Sequence, residues 1–259
     1  MIDTHCHLDS PRFGPEREGV LARAWSAGLT GIVVPAVSPE GWDALLEMGG
    51  RDPRIRVALG IHPQLLPELP EEDDTRHLER LDELLGRGVA IAVGECGIDG
   101  PSAARAPMPR QLRVLRAHFS LARKHRLPIL VHCLRVHADL MRLLRDEPLP
   151  ERGLLLHSYS GSPEQVGFYA SHGCHFSFAG AVTFPEARRP LEAAKAVPVE
   201  RLMAETDAPD QTPHPHRGER NEPCHLPLVV AALASAHGAA PEEMARRTTE
   251  NARALFGCF

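Results

Sequence analysis

Histidines and carboxylates recur in this sequence directly after short apolar runs. His5 and His7 follow the run 1–4, His62 follows 56–60, Glu95 follows 90–93, His132 follows 129–131, His157 follows 154–156 and Asp207 follows 202–204. His5 and His7 are two apart, so on an extended segment both imidazoles project to one side and Cys6 to the other. That is the spacing for two imidazoles on one cation. Four imidazoles, His5, His7, His132 and His157, with the carboxylates Glu95 and Asp207, exceed what a single four-coordinate ion with a water needs. Two divalent ions sharing one ligand are the more economical arrangement. Lysine is nearly absent, and Lys124 and Lys195 both fall on expected helices, so neither can supply a carboxylated bridge. Glu95, inside Gly94-Glu95-Cys96-Gly97-Ile98-Asp99, is the carboxylate on a middle strand near the mouth and is assigned the bridge.

One histidine at a strand end is more often a hydrogen-bonded structural residue than a ligand. The joint recurrence at successive strand ends is what argues for metal. Cys6, Cys96 and Cys133 each adjoin a candidate ligand and alternate away from it, as small buried packing residues do. His77, His118, His125, His172 and His237 fall on helices or loops and are expected to be ordinary surface or cap residues.

The elements that must position these groups alternate regularly. Strand-length apolar runs cover 1–4, 30–37, 56–60, 90–93, 129–131, 154–156, 175–178 and 202–204. Amphipathic stretches of helical period cover 15–27, 42–49, 75–86, 110–126, 137–145, 163–172, 186–196 and 226–237. Such alternation predicts an α/β fold with a parallel sheet. Eight strands fit a TIM-type (β/α)8 barrel, regular or distorted, formed by residues 1–259 as a single domain. In that fold all strands open their carboxyl ends on one face, where chemistry is placed. The polar loop 207–223 is long enough to suggest a functional role.

Composition narrows the partners. The 259 residues are 43% hydrophobic and 24% charged, which excludes a disordered, collagenous or coiled-coil chain. A net charge of −5 provides no basic field over the whole surface, so any nucleic-acid contact must be local. Six scattered cysteines without a CxxC pair read as reduced thiols. No apolar stretch reaches spanning length and the first residues are not a signal peptide, so a cytoplasmic protein without a membrane partner is expected.

A wider set of motifs runs the length of the chain: Ile2-Asp3-Thr4-His5-Cys6-His7-Leu8-Asp9, Gly60-Ile61-His62-Pro63, Gly94-Glu95-Cys96-Gly97-Ile98-Asp99, Leu127-Pro128 before His132, His157 with Gly161, Glu205-Thr206-Asp207-Ala208-Pro209, Arg220-Asn221-Glu222-Pro223, and Asn251 near Leu255-Phe256. In these the chain resembles the TatD-like metal-dependent hydrolases, amidohydrolase-type barrels whose studied members are divalent-metal-dependent deoxyribonucleases, often 3′ to 5′ exonucleases. The resemblance implies that His5, His7, Glu95 and Asp207 hold one ion and Glu95, His132 and His157 the other, the metal being Mg, Mn or Zn. Mixed imidazole and carboxylate ligation leans away from a Mg-only site. It further implies catalytic roles for Asp207, Glu95, His62 and Glu205, with DNA, as single strands or 3′ ends, as partner. Glu205 and Asp207, two apart, are expected to face the same way, Glu205 acting directly or closing a salt bridge in the mouth. His62, Arg135, Arg217 and Arg220 are the expected phosphate contacts.

The chain also departs from the family pattern. Leu134 stands where an arginine is frequent, with Arg135 one place later; Gly100 stands where a tyrosine is common, Asp210 where an apolar or aromatic residue is, and His118 where a glutamine is usual. No ligand position is affected, but the substrate grip is. Two other functions therefore stay open: hydrolysis of another ester or amide on the same site, such as a small phosphoester, lactone or aminoacyl-tRNA, and metal binding without catalysis in a regulatory protein. No obligate protein partner is evident.

Overall fold

Parallel pairing in chain order, β1 to β8, builds one eight-stranded sheet. Its strands are β1 (Ile2–Asp3), β2 (Gly31–Pro35), β3 (Ile55–Leu59), β4 (Ala92–Asp99), β5 (Ile129–Leu134), β6 (Leu154–Leu156), β7 (Cys174–Phe178) and β8 (Leu202–Ala204). The computed structural model describes residues 1–100, 102 and 105–257; Cys258 and positions 101, 103 and 104 of the Pro/Ala-rich segment after Gly100 lie outside these. The last strand returns to the first through Thr4 N–H to Ala204 O (3.2 Å), Asp207 N–H to His5 O (2.9 Å) and His7 N–H to Ala208 O (2.8 Å). These bonds close the sheet into a barrel at its carboxyl end.

Strand residues are buried on both faces, as a parallel sheet under helices requires. Val33, Ala58, Ala92, Leu130, Leu155 and Met203 fill the interior. Val34, Val57, Val93, Val131, Leu156 and Phe176 pack outward against α1 (Arg17–Ser26), α2 (Trp42–Arg51), α3 (Asp74–Gly86), α4 (Met108–His125), α5 (His137–Asp146), α6 (Pro163–Ser171), α7 (Arg188–Ala196) and α8 (Leu226–His237). A further helix, α9 (Pro241–Phe256), is not among the expected elements. Its Ala252, Leu255 and Phe256 join the interior cluster and plug the amino end of the barrel, while Asn251 Nδ2 donates to Val199 O and Leu202 O, both at 2.7 Å. Among the described residues no single helix is long and apolar enough to cross a membrane.

The largest difference from the sequence expectation lies in the middle strands. β4 extends to Asp99 and β5 to Leu134, so Glu95 and His132 stand within strands rather than after them. Gly94 and Gly97 resemble turn signals, yet they serve close approach. A Cβ at Gly97, whose φ is +153°, would lie 2.0 Å from the carbonyl oxygen of His132, and one at Gly60 would lie 2.6 Å from that of Glu95. The β4–β5 register passes from Val93↔Ile129 to Cys96↔Val131, three steps against two, which marks a one-residue bulge at 94–95. Val93, Cys96 and Ile98 all pack in the outer layer. The extra residue absorbs the change in parity and turns Glu95 inward.

Asp3 clamps the barrel seam. Its buried carboxylate accepts His5 N–H (3.2 Å), Thr206 N–H (2.9 Å) and Thr206 Oγ–H (2.6 Å), joining the segments that carry His5 and Asp207. Replacing Asp3 by Ala leaves these donors unpaired, and a loss of about 3 kcal/mol of stability in urea unfolding is expected. A loss below about 0.5 kcal/mol, the level of an ordinary surface change, would remove the clamp from the account of the fold.

Candidate metal centre

Glu95 lies at the carboxyl mouth of the barrel, 1% exposed, with imidazoles on both of its oxygens. Oε2 faces His5 Nε2 at 3.1 Å and His7 Nε2 at 3.6 Å, and these two nitrogens lie 3.8 and 3.6 Å from Asp207 Oδ1. Oε1 faces His157 Nε2 at 2.8 Å, His62 Nε2 at 2.9 Å and His132 Nδ1 at 3.1 Å. The side chains expected as two ligand sets are thus brought together around one carboxylate, each set on its own oxygen. Burial alone would push the Glu95 carboxyl up; the charge of the surrounding histidines, His62, His157 and His5, holds it well below the usual range.

Carboxylates lie behind both histidines of the second set. His157 Nδ1 is 3.5 Å from Glu205 Oε1, and His132 Nε2 is 3.7 Å from Asp99 Oδ2. Burial lowers both imidazoles, but Glu95 and Glu205 outweigh it at His157, and Asp99 and Glu95 at His132, so both are raised. Glu205 is itself fixed by Ser158 N–H (2.7 Å) and Ser177 Oγ–H (2.5 Å). Asp99 is held by Gln64 Nε2 (2.6 Å) and Arg105 Nε (2.8 Å), and its own N–H donates to Gln111 Oε1 (2.7 Å).

Glu205 and Asp207 do not continue one alternating row. β8 ends at Ala204 and Asp207 turns into the left-handed region at φ +52°, so Glu205 lies fully buried beneath His157 while Asp207 reaches the cleft. There Gln211 Nε2 donates to Asp207 Oδ2 (2.5 Å) and Ser158 Oγ (2.6 Å). His62 Nδ1 accepts Gln64 N–H at 3.1 Å, leaving Nε2 toward Glu95, and burial lowers its pKa to about 4. His118 is not a surface or cap residue. It is fully buried on α4, where Nε2 accepts Ile61 N–H (3.1 Å) and Nδ1 donates to Val114 O (2.8 Å), which fixes the loop carrying His62.

The open cleft above these groups measures about 460 Å³ and includes Asp9, Arg12, Val37, Gln64 and Leu65 in its walls. The expected phosphate contacts divide. His62 lines this cleft, whereas Arg135 lies in a neighbouring one. Arg217 is exposed, its guanidinium 5.3 Å from the Phe184 ring. Arg220 is turned away: it binds Glu16 (2.7 Å), Glu222 (2.9 Å) and the Arg12 carbonyl (2.9 Å) and lies over Phe13. Apart from Arg217, the charge run in loop 207–223 pairs within itself, with Glu16 and with Arg23 of the first helix. Arg12, which sequence reasoning passed over, is the cation on the cleft wall, paired with Asp210 at 2.6 Å. Its place in the loop after His7 is the signal that could have found it.

The donor set fits divalent ions. Glu95 Oε1 is buried with three imidazole nitrogens within 3.1 Å, yet it makes no hydrogen bond among the described residues; an oxygen so placed suits a divalent cation shared with those nitrogens. His5, His7 and Glu95 converge as one group of possible ligands and His62, Glu95 and His132 as another. A third, His5, His157 and Glu205, includes the carboxylate behind His157.

Comparison with known proteins identifies relatives along the whole chain. The sequence profile of the family described as TatD related DNase matches residues 2–257. The metal-dependent hydrolase YabD of Bacillus subtilis is 34% identical over 99% of this chain and 98% of its own length. The crystal structure of YjjV, a TatD homologue from Escherichia coli, superposes with a TM-score of 0.93 at 31% identity, covering 100% of this chain and 98% of that one. A Salmonella typhimurium protein named 3′-5′ ssDNA/RNA exonuclease TatD is 31% identical over 99% of this chain and 98% of its own.

Glu205→Gln keeps an oxygen for Ser158 N–H, and its amide N–H can donate to a reoriented Ser177 hydroxyl, but it removes the charge behind His157. It is expected to weaken uptake of divalent metal about 10- to 100-fold in calorimetric titration. Unchanged affinity would leave Glu205 a purely structural residue.

Proposed function

The chain belongs to the TatD-related DNase family of metal-dependent hydrolases, and from that premise we propose that it hydrolyses phosphodiester bonds at the ends of single DNA strands, as a 3′ to 5′ exonuclease with two divalent ions. The observation that carries the reading is Glu95, whose two oxygens face separate donor sets. In this reading His5, His7 and Asp207 hold one ion, His132 and His157 the other, and Glu95 bridges them. Bound there, the ions lower the pKa of water and neutralise charge growing on the phosphate.

The remaining work falls to the chain. Asp207 takes the proton of the attacking water; its Oδ2, braced by Gln211, retains a lone pair on the side of the cleft. His62, kept neutral by burial, orients a phosphate oxygen without adding charge. Glu205 and Asp99 position His157 and His132 rather than touch substrate. Arg12 replaces Arg217 and Arg220 as the guanidinium for the scissile phosphate, exchanging its contact with Asp210. The relative named as a 3′-5′ ssDNA/RNA exonuclease supports the substrate class. The open cleft and the overall negative charge suit a strand end better than a long duplex.

One observation favours a second reading, hydrolysis of a smaller phosphoester. Apart from histidines, no aromatic ring among the described residues lines the cleft, so no stacking platform for a base stands beside the centre.

Release of nucleotides from labelled single-stranded DNA, with Mg, Mn or Zn and with chelator, tests both readings. Metal-dependent shortening from the 3′ end is expected. Glu95→Ala is expected to lower it by at least about a thousandfold and to reduce bound metal from about two ions per chain. Near-normal turnover of that variant would overturn the bridging role. Hydrolysis confined to small phosphoesters would establish the second reading.

A further inference from the structure

A second cleft, also about 460 Å³, opens beside the centre between the segments that follow β5, β6 and β7. Arg135, His137, Ala138, Ser160, Gln165 and Arg189 line it, and no carboxylate does. Arg135 and Arg189 are exposed, and neither forms an ion pair or hydrogen bond with any described residue. Many arginines here are paired, Arg110 with Asp74 and Arg246 with Glu243 and Glu250 among them; Arg56, Arg126 and Arg152 line a cleft at the amino end of the barrel, whereas Arg135 and Arg189 stand at the carboxyl end, where the metal centre opens. The acids nearby do not neutralise them. Glu164 feels the charge of Arg189 without reaching ion-pair distance, and Asp139 is engaged by Arg142 at 2.8 Å.

The floor of this cleft is polar and uncharged. His137 Nδ1 bonds the Tyr169 hydroxyl (3.0 Å), His137 Nε2 lies 3.4 Å from Ser160 Oγ, and Ser160 Oγ donates to Cys133 O (3.3 Å). α5 begins here, and Val136 at its N-cap provides no capping side chain, so its first N–H groups stay open to an acceptor. Arg135 adopts φ +64°, an uncommon conformation for a side-chain-bearing residue, and a Cβ at Gly100 would lie 3.1 Å from the Arg135 Cβ. Gly100 thus leaves the room that Arg135 occupies. Arg135 is three positions beyond His132, a reach of at most about 11 Å between their Cα atoms. A strand with its scissile phosphate at Glu95 would bring one of its next few phosphates to this cleft.

We propose that this cleft is a second phosphate site, in which Arg135 and Arg189 together grip a non-scissile backbone phosphate of a single-stranded nucleic acid. The inference rests on the phosphodiesterase reading for the identity of its ligand. It assigns the site a preference for oligonucleotides over dinucleotides, which one phosphate-binding centre cannot supply.

The test is binding of fluorescein-labelled phosphorothioate dithymidylate and hexathymidylate to the metal-loaded protein, followed by anisotropy at low and moderate salt. Arg135→Gln/Arg189→Gln is expected to weaken the hexamer about tenfold or more while most of the dimer's affinity is kept. The slope of log affinity against log salt for the hexamer should shrink by about 0.7, the contribution of one phosphate on a single strand. Arg189→Gln alone, at an exposed position, should give roughly half the logarithmic effect. Equal losses on dimer and hexamer, or no loss on either, would overturn the second site. Arginine-dependent hexamer binding without hydrolysis of ordinary DNA would instead overturn the nuclease reading and leave this cleft as a strand-binding site.

Discussion

A carboxylate buried to 1% exposure is costly unless its charge is met, and Glu95 is met from both sides. Five imidazoles approach its two oxygens, and most of the surrounding structure serves to keep them there. The bulge in β4 turns Glu95 inward, Gly97 lets β5 bring His132 against it, and Gly60 lets the His62 loop come near. Removing one partner of a buried charged pair typically costs about 3–5 kcal/mol, more than any exposed pair in this molecule could contribute. The centre is therefore a cost that the barrel around it must offset, a common condition of functional sites.

That offset comes from ordinary packing and from a few buried polar clamps. Asp3 ties β1 to the segment after β8, Gln111 grips the backbone of Asp99, and His118 supports Ile61. Arg110, buried with Asp74, also donates to the carbonyls of Leu66 and Leu69, fixing the loop that follows His62. Each clamp joins a strand end or its loop to another element, so the ligand positions are set by contacts distant in sequence. Asn221 plays the same part in loop 207–223, donating to the carbonyls of Thr206 and Asp210 and accepting Glu222 N–H. The density of charge in that loop is consumed by its own folding, which explains why Arg220 is absent from the cleft.

Other arginines stand nearer the centre. Arg12 faces the centre, and Arg135 with Arg189 occupies the neighbouring cleft. In a chain of net charge −5, such placement puts individual guanidinia at the carboxyl end of the barrel without making the whole surface basic. Leu134 and Gly100, which depart from the family pattern, belong to the same region: Leu134 lines the second cleft and Gly100 makes room for Arg135.

Alternation of apolar runs with amphipathic stretches determined the barrel, because a strand buried on both faces and a helix buried on one leave distinct periods in sequence. The spacing of His5 and His7 and the recurrence of His132, His157, Glu95 and Asp207 after apolar runs likewise announced a shared centre, since parallel strands must open on one face. What the sequence could not show was which polar groups meet only through the closed fold. The carboxylates behind His157 and His132, the support from His118 and Gln211, and the α9 plug at the amino end all depend on contacts between distant segments. So does the division of the arginines into paired and free. A charge run reads the same whether its partners are substrate phosphates or neighbouring glutamates, and only the packing of the loop against α1 decided between them.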